Sequence, residues 1–169
     1  MIGLLTGSEV KEIKTMDTLA RIVAVNFYDD KYLVTYTADS LSVYKGESLN
    51  LVMQREIEAD LNSLKIESGD GFVVARNGDT INSLDMEAMH LDVWDLNKDD
   101  VNLDGFGWLD RGIIYSVLNG KLFVHDFDGQ NERELSSDVD GSKPVIITDN
   151  KWLYYFSNGA LMREWLIKK

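Results

Sequence analysis

Three Asn-Gly pairs recur at a fixed place in a period of about forty residues, and this constrains the fold more than anything else in the chain. Four apolar runs align: Tyr32-Leu33-Val34-Thr35-Tyr36, Phe72-Val73-Val74-Ala75, Ile113-Ile114-Tyr115-Ser116 and Trp152-Leu153-Tyr154-Tyr155. Their first residues stand 40, 41 and 39 positions apart. Each run meets a turn signal six or seven residues later: Ala38-Asp39, Asn77-Gly78, Asn119-Gly120 and Asn158-Gly159. Asn-Gly favours the two-residue hairpin whose central positions both need positive φ. A long internal period of this kind marks a repeat architecture.

The flanks complete the unit. A strand is expected before each aligned run, over 21–28, 64–67, 106–109 and 145–148, joined to it by a polar Asp/Gly/Asn/Lys corner. Third strands follow over 41–44, 121–126 and 160–165, and fourth strands over 49–57 and 132–135. In the second unit, 80–86 reads best as the third strand and 90–96 as the fourth; the other drawing makes 90–96 the third strand after a longer loop. Four antiparallel strands per unit describe the blade of a β-propeller. The expected fold is therefore all-β, a propeller or propeller-like array of about four blades over 18–60, 61–104, 105–141 and 142–169. The last unit lacks a fourth strand, and a strand-like run over 10–16, within 9–17, is placed to close it, which would hide two sheet edges. A fragment of a longer ring and half of a dimeric ring fit the same pattern.

Composition narrows the partners. A net charge of −12 opposes nucleic acid, whose phosphates need clustered Lys and Arg. It opposes docking on an anionic membrane as well. No cysteine is present, so disulfides and thiolate chemistry are excluded. The opening Met1-Ile2-Gly3-Leu4-Leu5 runs straight into Thr6 to Glu9, which is too short and polar for a signal peptide or a membrane span.

The segment Val124-His125-Asp126-Phe127-Asp128-Gly129-Gln130-Asn131 resembles the Asp-x-Asp-Gly-x-Asn turn of TolB-like and WD40-like bacterial propellers. With Trp108-Leu109-Asp110, Gly120-Lys121-Leu122, Asn150-Lys151-Trp152-Leu153-Tyr154 and Leu161-Met162-Arg163, about the last 80 residues resemble the C-terminal propeller of bacterial PEGA-domain proteins. That resemblance implies a longer, exported, membrane-tethered parent protein. Four blades are fewer than such propellers ordinarily have.

Catalytic and metal signatures do not assemble. His90 and His125 are the only histidines, and a two-His metal site or a pairing of His125 with Asp126 is the chemistry they could offer. The stretch from Asp95 to Asp100 opens like a calcium loop, but Asp100 stands where glycine is needed and Phe106 where a bidentate Glu belongs. Asp138-Val139-Asp140-Gly141 reads equally as a capped turn. No nucleophile elbow and no phosphate loop occur. The expectation is thus no metal, no cofactor and no catalytic set. The functional reading is a binding module that recognises a protein or cell-surface component through loops at one end. The competing reading is a carboxylate-based glycan hydrolase or lyase at the channel mouth. Binding candidates are Asp30, Asp70, Asp110 and Asn150 in the corners between first and second strands, with Trp94 and Trp165 on outer strands. For both tryptophans packing between neighbouring blades is the favoured role, with protein contact or sugar stacking as the functional alternative.

Overall fold

The computed structural model describes residues 2–6, 9–14, 19–69, 71–96, 105–110, 112–136, 138–140 and 152–165, all in strands, turns or extended links. Blade 1 is β3 (Arg21–Phe27), β4 (Asp30–Tyr36), β5 (Ser40–Lys45) and β6 (Asn50–Glu56). Blade 2 is β7 (Lys65–Gly69), β8 (Phe72–Asn77), β9 (Thr80–Asp85) and β10 (His90–Asp95). Blade 3 is β11 (Phe106–Asp110), β12 (Ile113–Leu118), β13 (Lys121–Asp126) and β14 (Arg133–Ser136). Each is an antiparallel meander in sequence order. A fourth unit shows β15 (Trp152–Ser157) paired with β16 (Ala160–Trp165). Its expected first strand, over 145–148, lies outside the described residues.

The other expected strands are present, and 80–86 and 90–96 hold the third and fourth strands of blade 2. Two expectations change. The run read as a closing strand forms β2 (Glu9–Lys14), which pairs with β1 (Ile2–Thr6); among the described residues no ladder joins it to β16. The second Asn-Gly pair is also shifted by one. Asn119-Gly120 and Asn158-Gly159 form two-residue corners with φ between 51° and 73°, whereas Asn77 ends its strand opposite Thr80 and the corner is Gly78-Asp79. Released from the corner, the Asn77 amide holds the incoming linker: its Oδ1 accepts from Asp60 N at 3.0 Å and its Nδ2 donates to Glu58 O at 3.1 Å.

Each blade has two faces, because side chains alternate along a strand. The forward face of blade 1 carries Tyr32, Val34, Tyr36, Leu41 and Val43, which pack against Leu61, Leu64 and Ile66 of the linker and first strand of blade 2. Blade 2 meets blade 3 through Val74 and Ile81 against Phe106 and Ile114, and blade 3 meets β15 through Val117 and Leu122 against Leu153 and Tyr155. First strands of successive blades lie side by side, β3 by β7 and β7 by β11, and form the inner wall. Outer strands such as β6 are mostly exposed, as the rim of a propeller requires.

Forward-face position 36 in blade 1 becomes 76 in blade 2, and both residues are polar. Tyr36 is fully buried with its hydroxyl unpaired, and burial pushes that hydroxyl well above its usual pKa. Arg76 is likewise fully buried; Nε donates to Gly78 O at 2.8 Å, while Nη1 and Nη2 have no acceptor. Its guanidinium lies 6.0 Å from the Phe106 ring centre, and burial lowers its pKa. Unsatisfied buried donors cost about 1–3 kcal/mol each. Arg76→Met is therefore expected to raise stability by roughly 1 kcal/mol after the lost Gly78 bond is counted. Chemical denaturation measures it, and a loss of stability instead would show that the guanidinium has an anionic partner in solution.

Candidate functional site

The two ends of the array differ in chemistry. At one end lie the corners between first and second strands together with those between third and fourth strands. There each blade ties its two corners by one bond: Gly46 N to Lys31 O, Met86 N to Gly71 O, and Phe127 N to Gly112 O, at 2.7–2.8 Å. Between blades, this end is closed by rings over glycine. The Phe27 ring occupies the space where Gly71, at φ +89°, would carry a Cβ, only 2.5 Å away. Phe72 packs on Phe127 and Trp108 at 4.9 and 5.5 Å. Asp30, the described corner candidate, is engaged with Lys45 at 2.7 Å on the surface. The side chain of Asp110 is not described, and Asp70 and Asn150 lie outside the described residues.

The opposite end carries the hairpin corners and the linkers between blades, and here three clefts adjoin. The first, of about 380 Å³, is lined by Leu19, Thr37, Ala38, Asp39, Ala59, Asp60, Leu61 and Asn62. It shares Asp39 with a second, of about 430 Å³, walled by Glu56, Ile57 and Glu58. Those three residues also wall a third, of about 330 Å³, which continues to Asn77, Thr80, Asn82 and Val93. The result is a groove bearing Asp39, Glu56, Glu58 and Asp60, with no Lys, Arg or His among the described lining residues; Arg21 stands beside it, its Nε donating to Leu61 O at 3.0 Å. Asp39 accepts from Thr37 Oγ1 at 2.6 Å, and Asp60 caps its own turn through Asn62 N and Ser63 Oγ. Among the described residues, Glu56 and Glu58 make no side-chain hydrogen bond or ion pair. Exposed Leu19 and Val93 give the groove an apolar patch at either extreme. Sequence reasoning missed this site because its carboxylates come from a strand end, a linker and a hairpin corner that no single period connects. The usable signal was the acidic run from Glu56 to Asp60.

The outer-strand tryptophans separate. Trp94 is half-buried between blades, with its indole N–H donating to Ser83 Oγ at 3.2 Å and Phe127 O at 3.1 Å. It also fills the space beside Gly129, where a Cβ would come within 2.4 Å of its ring. Its geometry is that of a pin between blades 2 and 3. Trp165 pairs with Trp152 in register, and its side chain is not described.

His125 is buried, and its bonds run elsewhere than to Asp126. Nε2 shares a 2.8 Å hydrogen bond with Ser116 Oγ, and Nδ1 stands 3.7 Å from Glu132 Oε2. Ser, His and carboxylate in that order have the connectivity of a hydrolytic triad. Ser116 is fully buried in the blade junction, however, so a substrate carbonyl has no approach to its hydroxyl. His90 is exposed and bonds Asp92 at 3.2 Å. Of the calcium-like stretch, Asp95 accepts from Thr80 Oγ1 at 2.9 Å and 97–100 lie outside the described residues. Asp140 caps the last hairpin corner, accepting from Asn158 N and Gly159 N. Among the described residues, no three acidic or histidine side chains converge on one metal position.

No protein-family model matches the sequence, and no curated protein matches it. The solved structure of the computationally designed Ika4 protein superposes with a TM-score of 0.58 at 14% identity, over 95% of this chain and 99% of the design. Hsv2 of Kluyveromyces lactis gives 0.48 at 17% identity, over 88% of this chain and 47% of its own. The N-terminal domain of Nup159 gives 0.43 at 14%, over 79% and 40%. The chain therefore spans about half the length of Hsv2 and two fifths of the Nup159 domain. These likenesses concern the fold alone, that of a β-propeller array.

If Trp94 is a pin, Trp94→Phe should lower stability by about 1 kcal/mol by removing the indole donor. Thermal unfolding measures it.

Proposed function

We propose that this chain is a non-enzymatic binding module that takes a basic, partly apolar polypeptide segment in the groove at its hairpin-corner end. The observation that carries the reading is the wall composition: four carboxylates, no basic side chain among the described lining residues, and exposed Leu19 and Val93 at the two extremes. Glu56 and Glu58 are the free acceptors for incoming Lys or Arg. Asp39 and Asp60, already bonded locally, add field rather than direct contacts. The net charge of −12 steers a cationic segment toward the module and makes its association salt-dependent. The resemblance of the last two units to PEGA-protein propellers supports an extracytoplasmic setting in a longer, tethered parent.

The test is fluorescence anisotropy with a labelled peptide alternating lysine and leucine, at low and high salt. Exposed ion pairs contribute a few tenths to 1 kcal/mol each, so Glu56→Gln with Glu58→Gln should weaken binding about fivefold. Binding that ignores both salt and the double variant would overturn the reading. An oligosaccharide cleaved by the chain and spared by the double variant would replace it with carboxylate catalysis.

A further inference from the structure

The three Asn-Gly pairs that mark the repeat are also its most reactive peptide links. In such a pair the nitrogen of the second residue can attack the side-chain amide carbon of the asparagine. Glycine has no Cβ, so it leaves that nitrogen unhindered and the backbone free to bring it close. Asparagine is accordingly among the thermolabile residues of proteins. Whether the attack proceeds in a folded chain depends on what holds the amide and the nitrogen, and here the three pairs are held differently.

The Asn77 amide is fixed at both ends, accepting from Asp60 N at 3.0 Å and donating to Glu58 O at 3.1 Å, so its carbon cannot swing toward Gly78 N without breaking both bonds. At the last corner it is the nucleophile that is held. Gly159 N donates to Asp140 Oδ2 at 2.8 Å, and Asn158 N donates to Oδ1 at 3.0 Å. A carboxylate on the Gly159 N–H opposes loss of the proton that attack requires. Asn119 has neither guard. It lies exposed on the two-residue corner between Leu118 and Lys121, at φ 54° with Gly120 at 73°. Among the described residues, neither the Asn119 amide nor Gly120 N has a hydrogen-bond partner. The linkers thus protect the first and third pairs and leave the second open.

We propose that Asn119 is a site of spontaneous covalent modification whose product releases the last hairpin from blade 3. Gly120 N bonds to Asn119 Cγ, the Cγ–Nδ2 bond breaks, and the amide leaves as ammonia, carrying away the Gly120 N–H proton. Water then adds across one C–N bond of the cyclic imide, leaving aspartate or isoaspartate; nothing is oxidised or reduced. In isoaspartate the main chain runs through Cβ and Cγ and gains one methylene, which a two-residue corner cannot absorb in the register of Leu118 with Lys121. Gly120 O is the atom displaced, and it accepts from Val139 N at 2.7 Å. Val139 is buried against Leu153 and Tyr155, and the next residue, Asp140, caps the last corner and donates its own N–H to Phe156 O at 3.0 Å. One altered corner therefore unseats the linker on which the last hairpin rests.

Ageing the full chain in warm, mildly alkaline buffer tests it, with peptide mass mapping of the three pairs and enzymatic methylation to count isoaspartate. Asn119 should convert about tenfold faster than Asn77 or Asn158, the factor that one charge-assisted or two neutral hydrogen bonds supply. In denaturant the three pairs should convert at similar rates, which shows that the fold sets the order. Asp140→Ala should bring Asn158 up toward the rate of Asn119 by freeing Gly159 N. Limited proteolysis of aged protein should cut the last hairpin faster in the natural chain than in Asn119→Gln, whose longer side chain closes the ring far more slowly. Equal conversion of the three pairs in the folded chain, or conversion of Asn158 first, overturns the assignment of the site. Full conversion at Asn119 with unchanged proteolysis overturns the release of the hairpin.

Discussion

Everything in this molecule depends on the packing of one blade's forward face against the next blade's back face. A four-stranded sheet of about forty residues has two apolar faces and no core of its own, so its stability is borrowed from neighbours. The forward-face positions show how regular the arrangement is: Tyr32, Val34 and Tyr36 in blade 1 give way to Phe72, Val74 and Arg76 in blade 2 and to Ile113, Tyr115 and Val117 in blade 3. Large rings sit nearest the corner end, where Phe72 reaches both Trp108 and Phe127. At that end the blades approach closely enough that Gly69, beside Trp108, and Gly71, under Phe27, have no room for a Cβ. The array is consequently tightest where its corners carry glycine and aromatic residues.

The looseness at the other end follows from the same geometry. Hairpin corners of two residues are narrow, and the linkers must cross from an outer strand to the next inner one, leaving space between. Linkers are clamped to the following corner rather than packed under it. Asp60 and Asn77 make that clamp between blades 1 and 2, and Asp140 with Asn158 and Gly159 makes it on the approach to the last hairpin. Carboxylates and amides suit this role, because their acceptors satisfy backbone N–H groups that no strand can reach: Asn77 Oδ1 takes the linker's Asp60 N, and Asp140 takes the corner's Asn158 N and Gly159 N. Two of the groove's carboxylates have a local use as well, since Asp39 accepts from Thr37 Oγ1 and Asp60 from Asn62 N and Ser63 Oγ within their own turns. Glu56 and Glu58 stand outside that explanation, since they hold no corner and pair with no cation among the described residues.

The repeat was legible in the sequence because turn chemistry and strand length are local. Asn-Gly corners and apolar runs require no knowledge of what packs on them, so blades 1 to 3 could be drawn strand by strand. What could not be read was anything decided between blades. Packing between blades is the favoured sequence reading of Trp94, but its partner, Phe127 O, lies 33 residues later and no local signal names it. His125 stands beside Asp126 in sequence, but neighbours on a strand point to opposite faces, and its partner Ser116 comes from the adjacent strand. The corner register of Asn77 escaped for the opposite reason: the Asn-Gly signal was read at face value, while a long-range demand from the linker at Asp60 moved it by one residue.

Hydrogen-bonded polar side chains in the blade interfaces are concentrated at one junction, while Asn82 and the Tyr36 hydroxyl lie between blades 1 and 2. Blades 1 and 2 meet through valine, leucine and tyrosine, and blade 3 meets the last hairpin through leucine, valine and tyrosine. Between blades 2 and 3 stand Arg76, Ser83 and Trp94 on one side and Ser116, His125 and the Phe127 carbonyl on the other. At the position of His125 the earlier blades have Leu84 and Tyr44, so its imidazole is a departure from an apolar norm. Departures of this kind cost stability, because each buried polar atom must find a partner and the two outer nitrogens of Arg76 find none. What they provide is identity. In a chain of near-equivalent blades, apolar faces alone would accept several neighbours, and a wrong pairing would bury almost as much surface as the right one. A junction that hydrogen-bonds only when the Trp94 indole meets the corner of blade 3 distinguishes the middle of the array from its extremes.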